Sequence, residues 1–202
     1  QPSKMEMLIA AKYFEIDVPN TLITTEKLKL ETFLKSNKEV ITKTIKDGDL
    51  FTKDNSDMSK SYASVYTELL NEEIVNKMPD NFFISLFQEK LNKEIEIRSF
   101  YLDGCFYSSA IFSQLDKQTN VDFRMYNQIK PNRTIPYKLS FEIESKLKQF
   151  MDFLELKSGS LDLILTKENR IVFLEVNPWG QYGMVSYPCN YNLDKKIAEY
   201  LI

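Results

Sequence analysis

A chain of 202 residues that is 43% hydrophobic and 27% charged can build a sizeable core. Its net charge of −3, with Lys and acidic residues interspersed, supplies no basic field for a nucleic-acid backbone. It has no His and two Cys, which excludes Ser-His and Cys-His nucleophiles and zinc sites of ordinary composition. Any chemistry then falls to carboxylates, Lys, Arg and a metal or cofactor. Cys105 and Cys189 are expected as small buried apolar residues. The amino end, QPSKMEMLIAAKYFEIDVPN, lacks the features of a signal peptide, and the apolar runs are only strand-length, so a cytoplasmic globular protein without a membrane partner is expected. The first residue, Gln1, opens close to a helix, as in a piece cut from a longer protein.

In chain order, Ser3 to Phe14 predicts an amphipathic helix with Met7, Ala10, Ala11 and Phe14 inward, broken near Pro19. A helix from Thr25 to Ser36 and a short strand from Glu39 to Ile45 follow, the strand entering the polar turn KDGD. KSYASVYTEL reads as another strand, NEEIVNKMPD as a short polar connector, and Phe82 to Leu91 as a buried strand. EIEIRSFYLDGCFYSSAIF predicts a hairpin turning at Asp103-Gly104. The polar stretch from Ser113 to Pro136 lacks periodicity and reads as a working loop. Beyond it come a helix from Ser140 to Leu154, a second hairpin of SLDLIL and IVFLEV, and a closing helix capped at Asn192. The order predicts an α+β fold.

The second hairpin carries the most informative pattern. If its turn is Lys167 to Arg170, Leu165 meets Val172, Leu163 meets Leu174 and Leu161 meets Val176, every partner apolar. The same register sets Asp162 opposite Glu175, with Asn177 on the same face. Two readings stand. The pair can simply face solvent, or three oxygen-bearing side chains can hold Mg²⁺, a hard octahedral ion that keeps non-protein ligands. Ile164, Ile171 and Phe173 are expected on that face, which weighs against a plainly solvated surface.

A second constellation is FQEKLNKEIEIRSF. Gln88 and Glu89 end one strand, while Glu94, Glu96 and Arg98 alternate along the next. Such groups can bind adenine, ribose and phosphate, or form an ordinary charged strand face. Lys43 can likewise guard a strand edge or direct its ammonium at a phosphate. Asp122 and Arg124 can pair to shape the loop or serve a substrate; Trp179, Tyr182 and Tyr187 are expected to pack under the NPWGQYG turn, with Gly180 and Gly183 allowing positive φ or close backbone approach.

A strand Lys, a QE hinge, EIR, an Asp and then E-x-N on the next strand, in that order, resembles the ATP-grasp superfamily of ligases over essentially the whole chain. SSAIFSQ, VDFRMYN and LEVNPWGQYGMVSYPCNYNL look like the graspetide synthetases, which crosslink ribosomal peptides, the nearest group being the grasp-with-spasm peptide maturase. The resemblance implies two α+β lobes gripping ATP, here residues 1–88 and 89–202, with the family's N-terminal domain absent from this chain. It implies Lys43 on nucleotide phosphate, Glu89 and Leu91 on adenine, Glu96 on ribose, and Asp162, Glu175 and Asn177 on Mg²⁺. Arg98 would face the phosphate and acyl-phosphate region, and Arg124 would lie in the substrate loop. The phosphate-covering turn KDGDLFTKDNSD departs from the family in having one Gly where many members have several, which implies a lid that is short or partly ordered.

The implied reaction is phosphorylation of a peptide side-chain carboxylate by ATP, followed by attack of an amine or hydroxyl, with no His required. The implied partners are a precursor peptide with its leader, a SPASM radical maturase in the same pathway and a possible second copy in a homodimer. The competing readings are a free-standing amino-acid or glutamate ligase of the same superfamily, a catalytically silent module binding a leader peptide, and a purely structural domain.

Overall fold

The computed structural model describes residues 3–43, 45, 49–52, 61–64, 67–113 and 132–202, with the backbone alone for 49–52 and 61–64. Helix α1 (Lys4–Tyr13) begins with a capping box, in which the Ser3 N–H donates to Glu6 Oε2 at 2.6 Å and the Glu6 N–H donates to Ser3 Oγ at 3.3 Å. Then come β1 (Thr21–Glu26), α2 (Lys27–Ser36), β2 (Val40–Lys43), β3 (Asp49–Thr52), β4 (Ser61–Ser64), β5 (Glu68–Leu69), α3 (Glu72–Lys77) and β6 (Asn81–Glu89). The remainder is β7 (Lys93–Leu102), β8 (Cys105–Ile111), β9 (Thr134–Tyr137), α4 (Phe141–Phe153), β10 (Ser158–Thr166), β11 (Ile171–Asn177), α5 (Gly183–Cys189) and α6 (Leu193–Leu201). No helix among the described residues is long and apolar enough to cross a membrane.

The α+β expectation holds, in two compact units. The smaller, Pro19–Lys90, carries a sheet ordered β1-β6-β2-β5 with α2 packed over it, its core formed by Leu30, Val40, Val75 and Phe87; β3 and β4 pair separately. The larger comprises Gln1–Val18 and Leu91–Ile202, so α1 precedes the smaller unit in sequence but packs with the larger. Its sheet runs β11-β10-β7-β8-β9, every pairing antiparallel. One face buries Ile97, Tyr101, Leu161, Leu163, Phe173 and Val176 against α1 and α4. On the opposite face a second cluster, Phe100, Leu102 and Leu193 with Tyr107, Tyr182 and Tyr191, is covered by the closing helices.

Local chemistry explains most elements. Asp103 (φ 41°) and Gly104 (φ 93°) form the two-residue loop joining β7 to β8, a conformation that suits Asp-Gly. Ser140 caps α4, accepting from the Ile143 N–H at 3.3 Å, and Leu147, Phe150 and Met151 turn inward as their spacing predicts. Several expectations change. NEEIVNKMPD contains α3, capped by Asn71; the stretch after Pro19 is strand β1; and α5, with Pro188 inside it, is a further helix. The stretch expected as a loop up to Pro136 ends in β9. Phe83 and Ile84, in the first half of β6, are exposed, because only its second half pairs with β2. Asn192 adopts φ 52° without a side-chain cap; Ser186 Oγ instead accepts from the Leu193 N–H at 3.0 Å. Cys189 is buried but Cys105 is exposed, since it opens β8 beside the hairpin turn.

Candidate functional site

The pairing that matters is the one across β7, β10 and β11. Asp162 lies opposite Glu175 on one side and opposite Arg98 on the other, and Asn177 lies opposite Ser160. The expected register therefore holds at the acidic pair. It fails nearer the turn, where Leu165 meets Ile171, Ile164 meets Val172 and Leu163 meets Phe173. A β-bulge between the two stretches absorbs Leu174. The bulge lets Phe173 stay fully buried in the core while Glu175, two residues on, stands on the other face; Phe173 is consequently not on the acidic face as expected.

The like charges of Asp162 and Glu175 are each met by a cation. Arg98 Nη1 donates to Asp162 Oδ1 at 3.1 Å and Oδ2 at 3.3 Å, with Arg98 10% and Asp162 19% exposed at their side chains. Lys4 Nζ, from α1, approaches Glu175 Oε2 at 3.4 Å. Neither the Lys4 contact nor the helix supplying it is legible in the strand pattern. Asn177 Oδ1 accepts from the Trp179 N–H at 3.0 Å, and an amide oxygen can accept a second bond.

The donor set fits a hard cation: two carboxylates and an amide oxygen, all oxygen ligands. Among the described residues no three His, Cys, Asp or Glu are grouped to hold a metal ion. An ion at Asp162 and Glu175 would take its other ligands from Asn177 and from non-protein oxygens, which is the habit of Mg²⁺. Arg98 Nε is buried and, among the described residues, finds no hydrogen-bond partner, which leaves an N–H donor suited to an anion beside the acidic pair.

The other candidates fall as follows. Glu96 is buried on the Arg98 face of β7; Lys93 Nζ and Ser113 Oγ both donate to its Oε1, the latter at 2.7 Å. Leu91 is half-buried and its carbonyl accepts from the Lys93 N–H. Glu89 ends β6 in the smaller unit, where its carboxylate accepts from the Asn20 backbone N–H at 3.0 Å and the Asn20 amide at 3.2 Å. Lys43, also of the smaller unit, is half-buried at the end of β2 opposite Leu86. Asp122 and Arg124 lie outside the described residues.

The NPWGQYG turn overturns one expectation. Trp179 is 87% and Tyr187 73% exposed, so neither packs beneath it; Tyr182 does, its ring 5.8 Å from Phe100. Gly180 is required by close approach: a Cβ there would fall 2.2 Å from Ser160 Oγ and 2.7 Å from the Ser160 amide nitrogen.

No family model and no curated protein matches the chain. Solved structures do. A RiPP-associated ATP-grasp ligase from Chryseobacterium gregarium, in complex with ADP and a leader and core peptide, aligns with TM-score 0.86 and 23% identity over 98% of this chain and 58% of its own. The macrocyclase MdnC from Microcystis aeruginosa MRC, bound with precursor peptide MdnA, aligns with TM-score 0.75 and 24% identity over 91% of this chain and 56% of its own. The ADP complex of purK, N5-carboxyaminoimidazole ribonucleotide synthetase, aligns with TM-score 0.57 and 12% identity, covering 89% and 45%. The chain thus has the fold of the corresponding part of ATP-grasp ligases, and spans a little over half the length of the two peptide-bound structures.

Proposed function

We infer that the chain is the nucleotide-binding and metal-binding part of an ATP-dependent ligase that joins side chains of a ribosomal peptide. The carrying observation is the cross-strand row Arg98, Asp162 and Glu175, with Asn177 beside it, on this fold. The complexes of the Chryseobacterium ligase and of MdnC with their peptides support a precursor peptide as the partner rather than a free amino acid. In this reading Asp162, Glu175 and Asn177 hold Mg²⁺, Lys43 contacts nucleotide phosphate, Glu89 and Leu91 meet adenine, Glu96 meets ribose and Arg124 belongs to the substrate side.

Mg-ATP, when bound, supplies the phosphoryl group that turns a carboxylate into an electrophile. Arg98 then neutralises negative charge next to the acidic pair, through the Nε–H that its pairing with Asp162 leaves unused. Attack by a Lys amine gives an amide and attack by a Ser or Thr hydroxyl gives an ester. Phosphate leaves in either case, and the peptide loses one water per bond. The test incubates full-length protein and Mg-ATP with a peptide encoded beside it and reads loss of water by mass spectrometry. Glu175→Gln should abolish the loss with the fold intact. If no neighbouring peptide loses water while free glutamate or another amino acid stimulates ADP release, the amino-acid ligase reading replaces this one.

A further inference from the structure

Trp179 contributes almost nothing to the core, yet its backbone is fixed on both sides. The Asn177 side chain accepts its N–H at 3.0 Å, and the Gly180 N–H closes the turn on the Asn177 carbonyl at 3.0 Å. Pro178 restricts φ just before it. Gly180 is wedged against Ser160, whose buried Oγ has no hydrogen-bond partner among the described residues. A buried hydroxyl left unpaired is unfavourable. The turn is held tightly at some expense, therefore, and what it presents is an indole that is 87% exposed. Tyr187, 73% exposed, and Met184, 39% exposed, follow on α5.

We propose that Trp179 is a specificity-determining residue that receives an apolar or aromatic side chain of the substrate peptide, next to the residue whose carboxylate reacts at the Asp162 and Glu175 site. The inference rests on the peptide-ligase reading. Trp179 lies two residues beyond Asn177 and donates its backbone N–H to that residue's side-chain oxygen, so the turn displaying the indole is tied directly to a group proposed to hold the metal. A rigid, exposed aromatic of this kind gives contact area at little conformational cost and is typical of binding anchors. A free amino acid occupying the acidic pair has no second side chain to offer the indole, whereas a peptide does.

Trp179 is the one tryptophan of the chain, so its emission reports the contact directly. The probe is the neighbouring-gene peptide that loses water in the assay above, compared with a variant in which the apolar residues flanking the crosslinked acid are Ala. Binding of the parent peptide to the chain with Mg-ADP should shift the emission to the blue and protect it from acrylamide. The Ala variant should bind about tenfold more weakly and leave the emission unmoved. Trp179→Ala should lose about tenfold in affinity for the parent peptide and discriminate no longer, Trp179→Phe should restore most of both, and ADP affinity should be unchanged in each. Parent peptide that binds without moving the emission, equal discrimination by Trp179→Ala, or preference for Lys over an apolar flanking residue overturns the inference and leaves the ligase reading standing. If no peptide loses water and a free amino acid drives ADP release, both fall together.

Discussion

Arg98 and Asp162 face each other across β7 and β10, and one guanidinium nitrogen reaches both carboxylate oxygens, at 3.1 and 3.3 Å. Because Glu175 stands on the far side of Asp162, this contact, together with that of Lys4 on Glu175, makes two adjacent carboxylates tolerable.

Arg98→Met should therefore destabilise the nucleotide-free protein. Breaking a buried ion pair by removing one partner costs about 3–5 kcal/mol, and the partial exposure of Asp162 reduces that to about 2 kcal/mol. Urea unfolding of the single variants and of Arg98→Met combined with Asp162→Asn measures it. The double variant should recover part of the loss, and an unchanged midpoint in Arg98→Met would count against the pairing.

The Lys93 and Glu96 pair is more enclosed, each side chain being no more than 10% exposed. Lys93→Met and Glu96→Leu should each cost about 3 kcal/mol, and together less than the sum, since an apolar pair of similar volume leaves no charge stranded. A double variant that adds the two losses in full would show that the residues do not act as a pair.

Gly180→Ala should cost about 2 kcal/mol by overpacking. Ser160→Ala alone should be neutral or slightly stabilising, because it removes a buried hydroxyl that has no partner among the described residues. It should rescue Gly180→Ala only in part, since the Ser160 amide nitrogen would still lie 2.7 Å from the added Cβ. Thermal unfolding of the three variants distinguishes these outcomes, and full rescue would contradict the backbone approach.

The two thiols should differ in reactivity. Cys105 is exposed, while burial both shields Cys189 and pushes its thiol pKa up, leaving less thiolate near neutral pH. Ellman's reagent should label one thiol of the native chain quickly and two in denaturant, and Cys105→Ser should remove the fast phase. Rapid labelling of both in the native chain would refute the burial of Cys189.

Strong periodicity and turn chemistry made α4 and the β7-β8 hairpin readable, since Leu147, Phe150 and Met151 recur at helical spacing and Asp103-Gly104 names its own turn. β1 was hidden because it runs straight into α2 with no loop between, and α5 because Pro188 and Gly183 interrupt any apolar period. At the site, the strand pattern predicts Asp162 opposite Glu175, but the register that brings them together differs from a simple four-residue turn. The turn takes in Thr166, one residue more than assumed, and the bulge at Leu174 offsets that residue before the acidic pair is reached. Lys4 could not be found from the strands, since its contact with Glu175 depends on where a helix far away in sequence packs. The exposure of Trp179 is not legible because a large aromatic is expected inside, and nothing in NPWGQYG distinguishes a buried indole from a displayed one.

The larger unit is discontinuous, entering at its start and resuming at Leu91, and this bears on the order of assembly. For α1 to dock on β11 while residues 19–90 are still unstructured, a long loop must close, at a chain-entropy cost of roughly 4 kcal/mol. Once β1 and β6 are paired, Thr21 lies beside Gln88 and Asn20 beside Glu89, so the two exits are already neighbours. Early folding of residues 19–90 thus turns a distant encounter between α1 and the carboxyl-terminal hairpin into a nearly local one, and destabilising that inserted segment should slow formation of the larger core without touching any residue in it.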